Sequence, residues 1–571
     1  MQHPTGVYAG IDVGTSNSCC YVLRDRPGAV PECVTSAFGS HLTPSAVAYT
    51  LHDCLVGQAA LQQQAANPRS TFVEFKRVLG RPYDAVQADG TAKHWPYTLA
   101  QPSAAYNETD DAPRFTALHN NEMLRLTAEQ LYGKLLEHLI AELGRAVGPG
   151  CVLRRVVVTV PAHFDSRQRR AVQLAADALL APGACASVCN EPTAAAVAYA
   201  ERAPTFFRAA STAAAAGSTS DRRLLVFDLG AGTLDVTLLA VNGTPDDHEY
   251  TVLASEGIPD VGGATFDAVL LDRAAQHYEA TTGRPLRSNG ARLVSVRAAC
   301  EQAKRVLSQH PTADVAFGDS NVTPMTVTRA VFEDLIRPSV RRCTEAIWKA
   351  LAAARLTPGD IGHAVLVGGG SRVPLVRQTL SEMLPHIALH ADISADECVA
   401  MGAAYMALGI GPATPAIPSL TSLTSLTPLA PPAPPAPPPR SNGAASAGAR
   451  SAVSRRQSAR ICLREVMPAT LGIRTGINVM HVAIPKNRPL PTTWKSSSFR
   501  PYQASQPFVD ICLFQGEHAA TERNRMIGHY RLPTTSGEAV TVQLTVQPSG
   551  AITVVARNGQ NRSVGGVLHL R

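Results

Sequence analysis

No uncharged run of 18 or more apolar residues occurs in this 571-residue chain, so no membrane-spanning helix is expected. No Cys-x-x-Cys pair occurs either. The 12 cysteines are scattered, with Cys19 and Cys20 adjacent, which argues against a disulfide framework or a zinc ribbon and for reduced thiols. The opening residues Met1-Gln2-His3-Pro4-Thr5-Gly6 lack the basic and apolar regions of an export signal, and a cytoplasmic location is the expectation. Aromatic residues make up only 5% and charged residues 17%, yet 45% of the chain is hydrophobic. That balance excludes a wholly disordered polypeptide. The net charge of +7 is modest for the length and makes no case for sequence-specific nucleic-acid binding.

Acidic residues are missing altogether between Cys398 and Arg464, where Arg440, Arg450, Arg455, Arg456, Arg460 and Arg464 accumulate. The same segment carries Ser-Leu-Thr repeats at 419–427 and a run of prolines and alanines at 431–439. Such a composition stays solvated and partly in polyproline II, so it reads as a disordered, semi-rigid Pro/Ser/Ala-rich tether. It divides the chain into 1–408, a linker at 409–460, and 461–571. A second low-complexity stretch, 209–220, reads as a surface-loop insertion.

Two stretches repeat one design. Ala9-Gly10-Ile11-Asp12-Val13-Gly14-Thr15-Ser16-Asn17-Ser18 and Leu225-Val226-Phe227-Asp228-Leu229-Gly230-Ala231-Gly232-Thr233-Leu234-Asp235-Val236 are each an apolar strand ending in Asp-x-Gly, followed by small and hydroxyl residues. A strand feeding a tight glycine turn presents bare N–H groups to an anion, and an aspartate at the bend suits a hydrated Mg2+. Two such hairpins facing each other would clamp a phosphate chain, and the duplication predicts two similar halves with nucleotide between them.

The surrounding pattern is α/β. Arg154 to Val160 is a β-branched strand, and Asp165 to Leu180 has helical apolar spacing. Thr127-Ala128-Glu129-Gln130 fits a capping box opening a helix through Leu143, and residues 330–354 read as one or two long helices. Val365-Leu366-Val367 runs into Gly368-Gly369-Gly370-Ser371-Arg372, where a triple glycine allows close backbone approach to a ligand. After the tether, Phe508 to Phe514, Ala539 to Val546 and Ala551 to Ala556 alternate as antiparallel strands.

Taken together, Asp12 to Ser18, Asp228 to Thr233, Asn190-Glu191-Pro192-Thr193-Ala194-Ala195-Ala196 and Val367-Gly368-Gly369-Gly370-Ser371-Arg372-Val373-Pro374 resemble, in order, the phosphate, connecting and adenosine motifs of the DnaK-type, or heat shock protein 70, chaperones. Lys76-Arg77-Val78-Leu79-Gly80-Arg81, Lys93-His94-Trp95-Pro96 and Val261-Gly262-Gly263 match as well. The resemblance implies an actin-like, two-lobed ATPase domain, followed here by the Pro-rich linker and a small antiparallel β-sandwich. It implies ATP/ADP and Mg2+ as ligands. Asp12 and Asp228 would face Mg2+ through water. Gly14, Thr15, Ser16, Gly230, Gly232, Thr233, Gly262 and Gly263 would surround phosphate. Lys76, Glu191, Asp228 and Thr233 would serve hydrolysis, with Lys76 stabilising charge near the γ-phosphate and Glu191 orienting water. Glu301, Lys304, Arg305 and Ser308 would form one helical face against adenosine, closed by Gly368, Gly369, Gly370, Arg372 and Asp396. From spacing alone, Glu301 and Arg305 also read as a surface ion pair.

In the second domain Ile473, Phe499, Val509 and Ile511 fall where the family lines its peptide pocket, and Gly476 replaces a large apolar arch residue. Ile461-Cys462-Leu463-Arg464-Glu465 resembles the family's apolar linker with Arg464 intruding, which puts coupling between the domains in question. No long amphipathic helix follows the β segments before Arg571, so a helical lid is not expected. The resemblance then extends to the atypical DnaK-like subunit of the ribosome-associated complex. Two expectations stand side by side. One is an ATP-binding co-chaperone or scaffold acting with a J-domain protein at the ribosome. The other is an independently active, ATP-hydrolysing chaperone that binds unfolded or nascent polypeptides transiently.

Overall fold

The computed structural model describes residues 5–26, 28–202, 222–244, 247–409, 460–476, 478–501, 503, 506–535, 537–548, 550–560 and 562–568. The readings at 209–220 and of the tether at 410–459 lie outside these residues.

The repeated hairpins each sit at the centre of a mixed sheet, and the two sheets have the same plan. In the first, the order is Cys185–Asn190, Cys151–Val160, Thr5–Val13, Asn17–Arg24, Glu32–Cys33. In the second it is Ala388–His390, His363–Val367, Arg223–Leu229, Leu234–Thr244, Asp247–Ile258. Each series runs parallel, parallel, antiparallel, antiparallel across its four pairings. The register puts Val13 opposite Ser18 and Leu229 opposite Leu234, so both hairpins turn through four residues. The duplication anticipated from the two Asp-x-Gly motifs is therefore a duplication of whole sheets.

Local sequence accounts for the elements that flank them. The capping box is formed: Thr127 Oγ1 accepts from the Gln130 amide while Gln130 Oε1 accepts from the Thr127 amide. The helix it opens, Ala128–Val147, buries Leu131, Leu135, Leu139 and Leu143 at four-residue intervals against the first sheet. Asp165 and Gln168 build a second capping box ahead of the helix Ser166–Leu179. Residues Arg329–Ala354 make a single helix that carries Pro338 within it.

Two helices, Glu191–Arg202 and Cys398–Gly409, fill the space between the sheets and are almost wholly buried. Their alanine and glycine content is what lets them approach so closely. A Cβ on Gly402 would stand 1.7 Å from the Ala194 carbonyl oxygen, so no larger residue fits that crossing.

The second sheet gains a sixth strand from beyond the tether. Arg460–Arg464 pairs in parallel with Asp247–Thr251, and Arg464 forms an ion pair with Glu249. The charge that seemed to interrupt an apolar linker is thus neutralised at the sheet edge. From Val466 the chain forms two four-stranded antiparallel sheets sharing one core of Ile473, Ile511, Leu513, Val542, Leu544 and Val554, among others. Ile473 and Ile511 are 1% and 0% exposed and Val509 is buried with them. Alternation along their strands turns these three inward, so they belong to the core, not to an open pocket. Only Phe499 is partly accessible, against Trp494 and His481.

Candidate functional site

Between the two sheets, where both hairpins turn, lies a cleft of about 970 Å³. Of the residues anticipated from sequence, Asp12, Gly14, Thr15, Ser16, Lys76, Glu191, Asp228, Gly230, Thr233, Gly263, Glu301, Lys304, Arg305, Ser308, Gly368, Gly369, Gly370, Arg372 and Asp396 all line it. Gly232 and Gly262 do not line it and act behind its wall. A Cβ on Gly232 would lie 2.9 Å from Thr15 Oγ1, which shows how closely the two hairpin tips face each other. Gly262 allows the second tip to seat on the helix Gly263–Thr282, where the Gly263 amide donates to the Gly230 carbonyl (2.9 Å) and that of Ala264 to Ala231 (2.8 Å). Gly368, at φ +75, packs on the Leu229 carbonyl and meets a conformational need as well as a steric one.

At the floor of the cleft a single lysine meets several carboxylates. Lys76 Nζ donates to Glu191 Oε1 at 2.6 Å, both side chains nearly enclosed. Asp12 accepts from Thr159 Oγ1 (2.9 Å), and Asp235 accepts from His163 Nδ1 (3.0 Å). Burial pushes Asp12 above the usual carboxylate range, with Lys76 opposing, and pushes Asp228 well above it, with Glu191, Asp235 and Asp12 adding repulsion. Burial likewise lifts Glu191 to about 7 despite Lys76. Lys76 itself is raised: burial opposes its charge, but Glu191, Asp12 and Asp228 outweigh that cost. One ammonium does not balance this set. The surplus of enclosed carboxylate on two facing hairpins fits a divalent cation held by Asp12 and Asp228.

At the other end, the helix Gly290–Leu307 presents Glu301, Lys304 and Arg305, with Ser308 at its C-terminal cap. Glu301 and Arg305 form the anticipated ion pair (2.5 Å), and both are substantially exposed. Lys304 instead turns to Asp267 Oδ1 (2.8 Å) and the Gly263 carbonyl (3.1 Å). Burial raises Asp267 to about 6. Across the cleft Arg372 pairs with Asp396 at 2.8 Å. Sequence reasoning missed Asp267, and it missed the Arg297–Glu74 pair that joins the two lobes, because neither has a local spacing signature.

The β domain is tied to both lobes near this floor. Glu465, directly after the added strand, accepts from Asn190 Nδ2 (2.8 Å) and Thr193 Oγ1 (3.1 Å), which flank Glu191. Asn190 in turn accepts from Arg169 (2.5 Å). Ser166 Oγ donates to Gln515 (2.7 Å) and Arg525 pairs with Asp165 (2.7 Å) on the first lobe. Lys486 pairs with Glu256 (2.8 Å), and Asn487 accepts from the Ser255 amide (3.0 Å), on the second.

Comparison with known proteins gives a consistent result. The family model described as "Hsp70 protein" matches residues 8–424 and 441–565. Heat shock cognate 70 kDa protein 3 of Dictyostelium discoideum is 29% identical, over 97% of this chain and 79% of its own. Heat shock 70 kDa protein BIP3 of Oryza sativa subsp. japonica is 31% identical, over 92% of this chain and 68% of its own. The ribosome-associated molecular chaperone SSB of Candida glabrata is 29% identical, over 96% of this chain and 79% of its own.

Proposed function

The chain belongs to the Hsp70 family of chaperones, a family of nucleotide-binding ATPases, and from that premise we propose that it hydrolyses ATP in the cleft and couples turnover to its β domain. The observation that carries this reading is the Lys76–Glu191 pair set among Asp12 and Asp228 where the two hairpins meet. ATP supplies the phosphoanhydride bond to be broken, and Mg2+ supplies charge neutralisation at the phosphates. Gly14 and Gly230 let the hairpin backbone come close to the phosphate chain, and the hydroxyls of Thr15, Ser16 and Thr233 bind it. Asp12 and Asp228 would hold the cation. Lys76 places positive charge where negative charge grows, and Glu191 orients a water and takes its proton. Glu301, Arg305 and Arg372 border the adenosine end.

Coupling runs through Glu465. Its carboxylate rests on Asn190 and Thr193, on either side of Glu191, so a shift at the hydrolytic carboxylate alters the anchor of the β domain. In this reading the β-sandwich takes unfolded or nascent polypeptide when that anchor is released.

A second reading is a co-chaperone or scaffold that keeps ATP bound and assists a J-domain protein at the ribosome. Gly476 favours it: at φ +60, with nothing within 4 Å of a Cβ built there, it leaves the β domain without an apolar arch. The relatives described as ribosome-associated molecular chaperones support its placement at the ribosome. The cytoplasm suits both readings.

Turnover by the wild-type chain separates the two readings, and Lys76→Ala and Glu191→Gln test the roles assigned in the first. Loss of one such charge-stabilising group costs about 100- to 1,000-fold in rate. Single-turnover hydrolysis in both variants should fall by that order, with ATP binding retained. Wild-type-like turnover in either variant would remove its assigned role.

A further inference from the structure

The cysteines show no zinc spacing in sequence, but folding brings two of them together with a histidine and a glutamate. The strand Asn17–Arg24 places Cys19 and Tyr21 on one face, two residues apart. Cys33 pairs opposite Tyr21, and Leu42, next to His41, pairs opposite Cys19. Glu397 arrives at the start of the buried helix Cys398–Gly409. Among the described residues this is the one group in which three ligand-bearing side chains converge: single ligand atoms of Cys33, His41 and Glu397 all lie within 4.8 Å of one another.

We infer that Cys33, His41 and Glu397, with Cys19 as fourth donor, form a zinc site separate from the nucleotide cleft. The spacing supports a tetrahedral ion. His41 Nδ1 lies 3.4 Å from Glu397 Oε2, against an edge of about 3.3 Å for nitrogen and oxygen ligands near 2.0–2.1 Å from zinc. Cys19 Sγ lies 4.0 Å from Cys33 Sγ, against about 3.8 Å for two thiolates at 2.3 Å. Cys19 does not belong to the group of three that already converges, so filling the fourth position requires its Sγ to turn toward His41 and Glu397. The donor set of thiolate, imidazole and carboxylate selects zinc over Mg2+ or Ca2+, which take oxygen ligands. An orienting contact is already present: Tyr21 Oη donates to Glu397 Oε2 at 2.6 Å. His41, with 55% of its side chain exposed, leaves a path for entry. A bound ion would tie the strand Asn17–Arg24 to the turn that carries Asp396.

The test uses the full chain in reducing buffer, stripped with a chelator. Cobalt(II) is titrated in and read by its thiolate charge-transfer absorption, and zinc affinity follows by competition. The exposed Cys54 and Cys462 are replaced by serine throughout to remove adventitious thiols. The site predicts one equivalent of cobalt with thiolate character. Cys33→Ser or His41→Ala should weaken zinc binding by more than about 100-fold, and Tyr21→Phe by about 10- to 100-fold, the range for orienting partners. His41 is exposed, so its variant reports on the ligand set and not on folding. The proposal is overturned if no charge-transfer band appears at one equivalent, if the band survives in the Cys33 and His41 variants, or if mass spectrometry finds a Cys19–Cys33 disulfide in place of metal uptake.

Discussion

Replacing Glu465 by alanine should release the β domain from the ATPase lobes, and the geometry sets the size of the effect. The carboxylate accepts hydrogen bonds from Asn190 and Thr193, and bonds to a charged acceptor contribute about 1.5–3 kcal/mol each. The gross loss, about 3–6 kcal/mol, is offset by relief of burial, which raises the Glu465 pKa against the lowering effect of Arg169. A net cost of about 2 kcal/mol corresponds to roughly thirtyfold in the docking equilibrium. The readout is hydrogen exchange of the Arg460–Arg464 amides, which lie in the strand added to the second sheet. Their protection should drop by about that factor. A pH dependence follows from the same shift. A carboxylate raised on docking binds its proton more tightly in the docked form, so docking is favoured in acid. It weakens as pH climbs from the ordinary carboxylate range through the raised value. Glu465→Gln should flatten that dependence. Unchanged protection in Glu465→Ala would refute the reasoning.

Glu191, lifted to about 7 by burial, must ionise to take a proton, so single-turnover hydrolysis should rise with pH through an inflection at or below about 7. Any cation brought to Asp12 and Asp228 moves that inflection down. Because the folded form holds the proton above the ordinary carboxylate pKa, stability should fall over the same interval; opposite trends in rate profile and melting curve check both signs. Lys304→Ala strands the enclosed Asp267 and should cost about 3 kcal/mol, seen as a melting temperature several degrees lower. Arg305→Ala, in an exposed pair, should cost under about 1 kcal/mol, and equal losses would contradict the distinction.

The two hairpins were readable from sequence because the signal is local, an apolar strand that stops at Asp-x-Gly, whereas most of the cleft lining, Lys76, Glu191 and the Glu301–Ser308 face among it, was reached only through the family resemblance. The Thr127 capping box was readable for the same reason. Pairs brought together by folding left no such mark. Lys304 and Asp267 lie on different helices, and Glu465 reaches Asn190 across 275 residues. The linker shows the limit well. Arg464 looks disruptive in a row of apolar residues, yet it is satisfied by Glu249 once the segment becomes an edge strand. Position also misled at Ile473, Val509 and Ile511, where strand alternation decides between pocket and core and sends all three inward.

The most direct measurement is single-turnover hydrolysis of ATP by the purified full chain, made beside equilibrium ATP binding, with and without an unfolded peptide and a J-domain. The account predicts ATP binding and hydrolysis, with turnover that responds to the peptide and depends on Glu191. Tight binding with no turnover under any condition would contradict it and leave the scaffold reading standing.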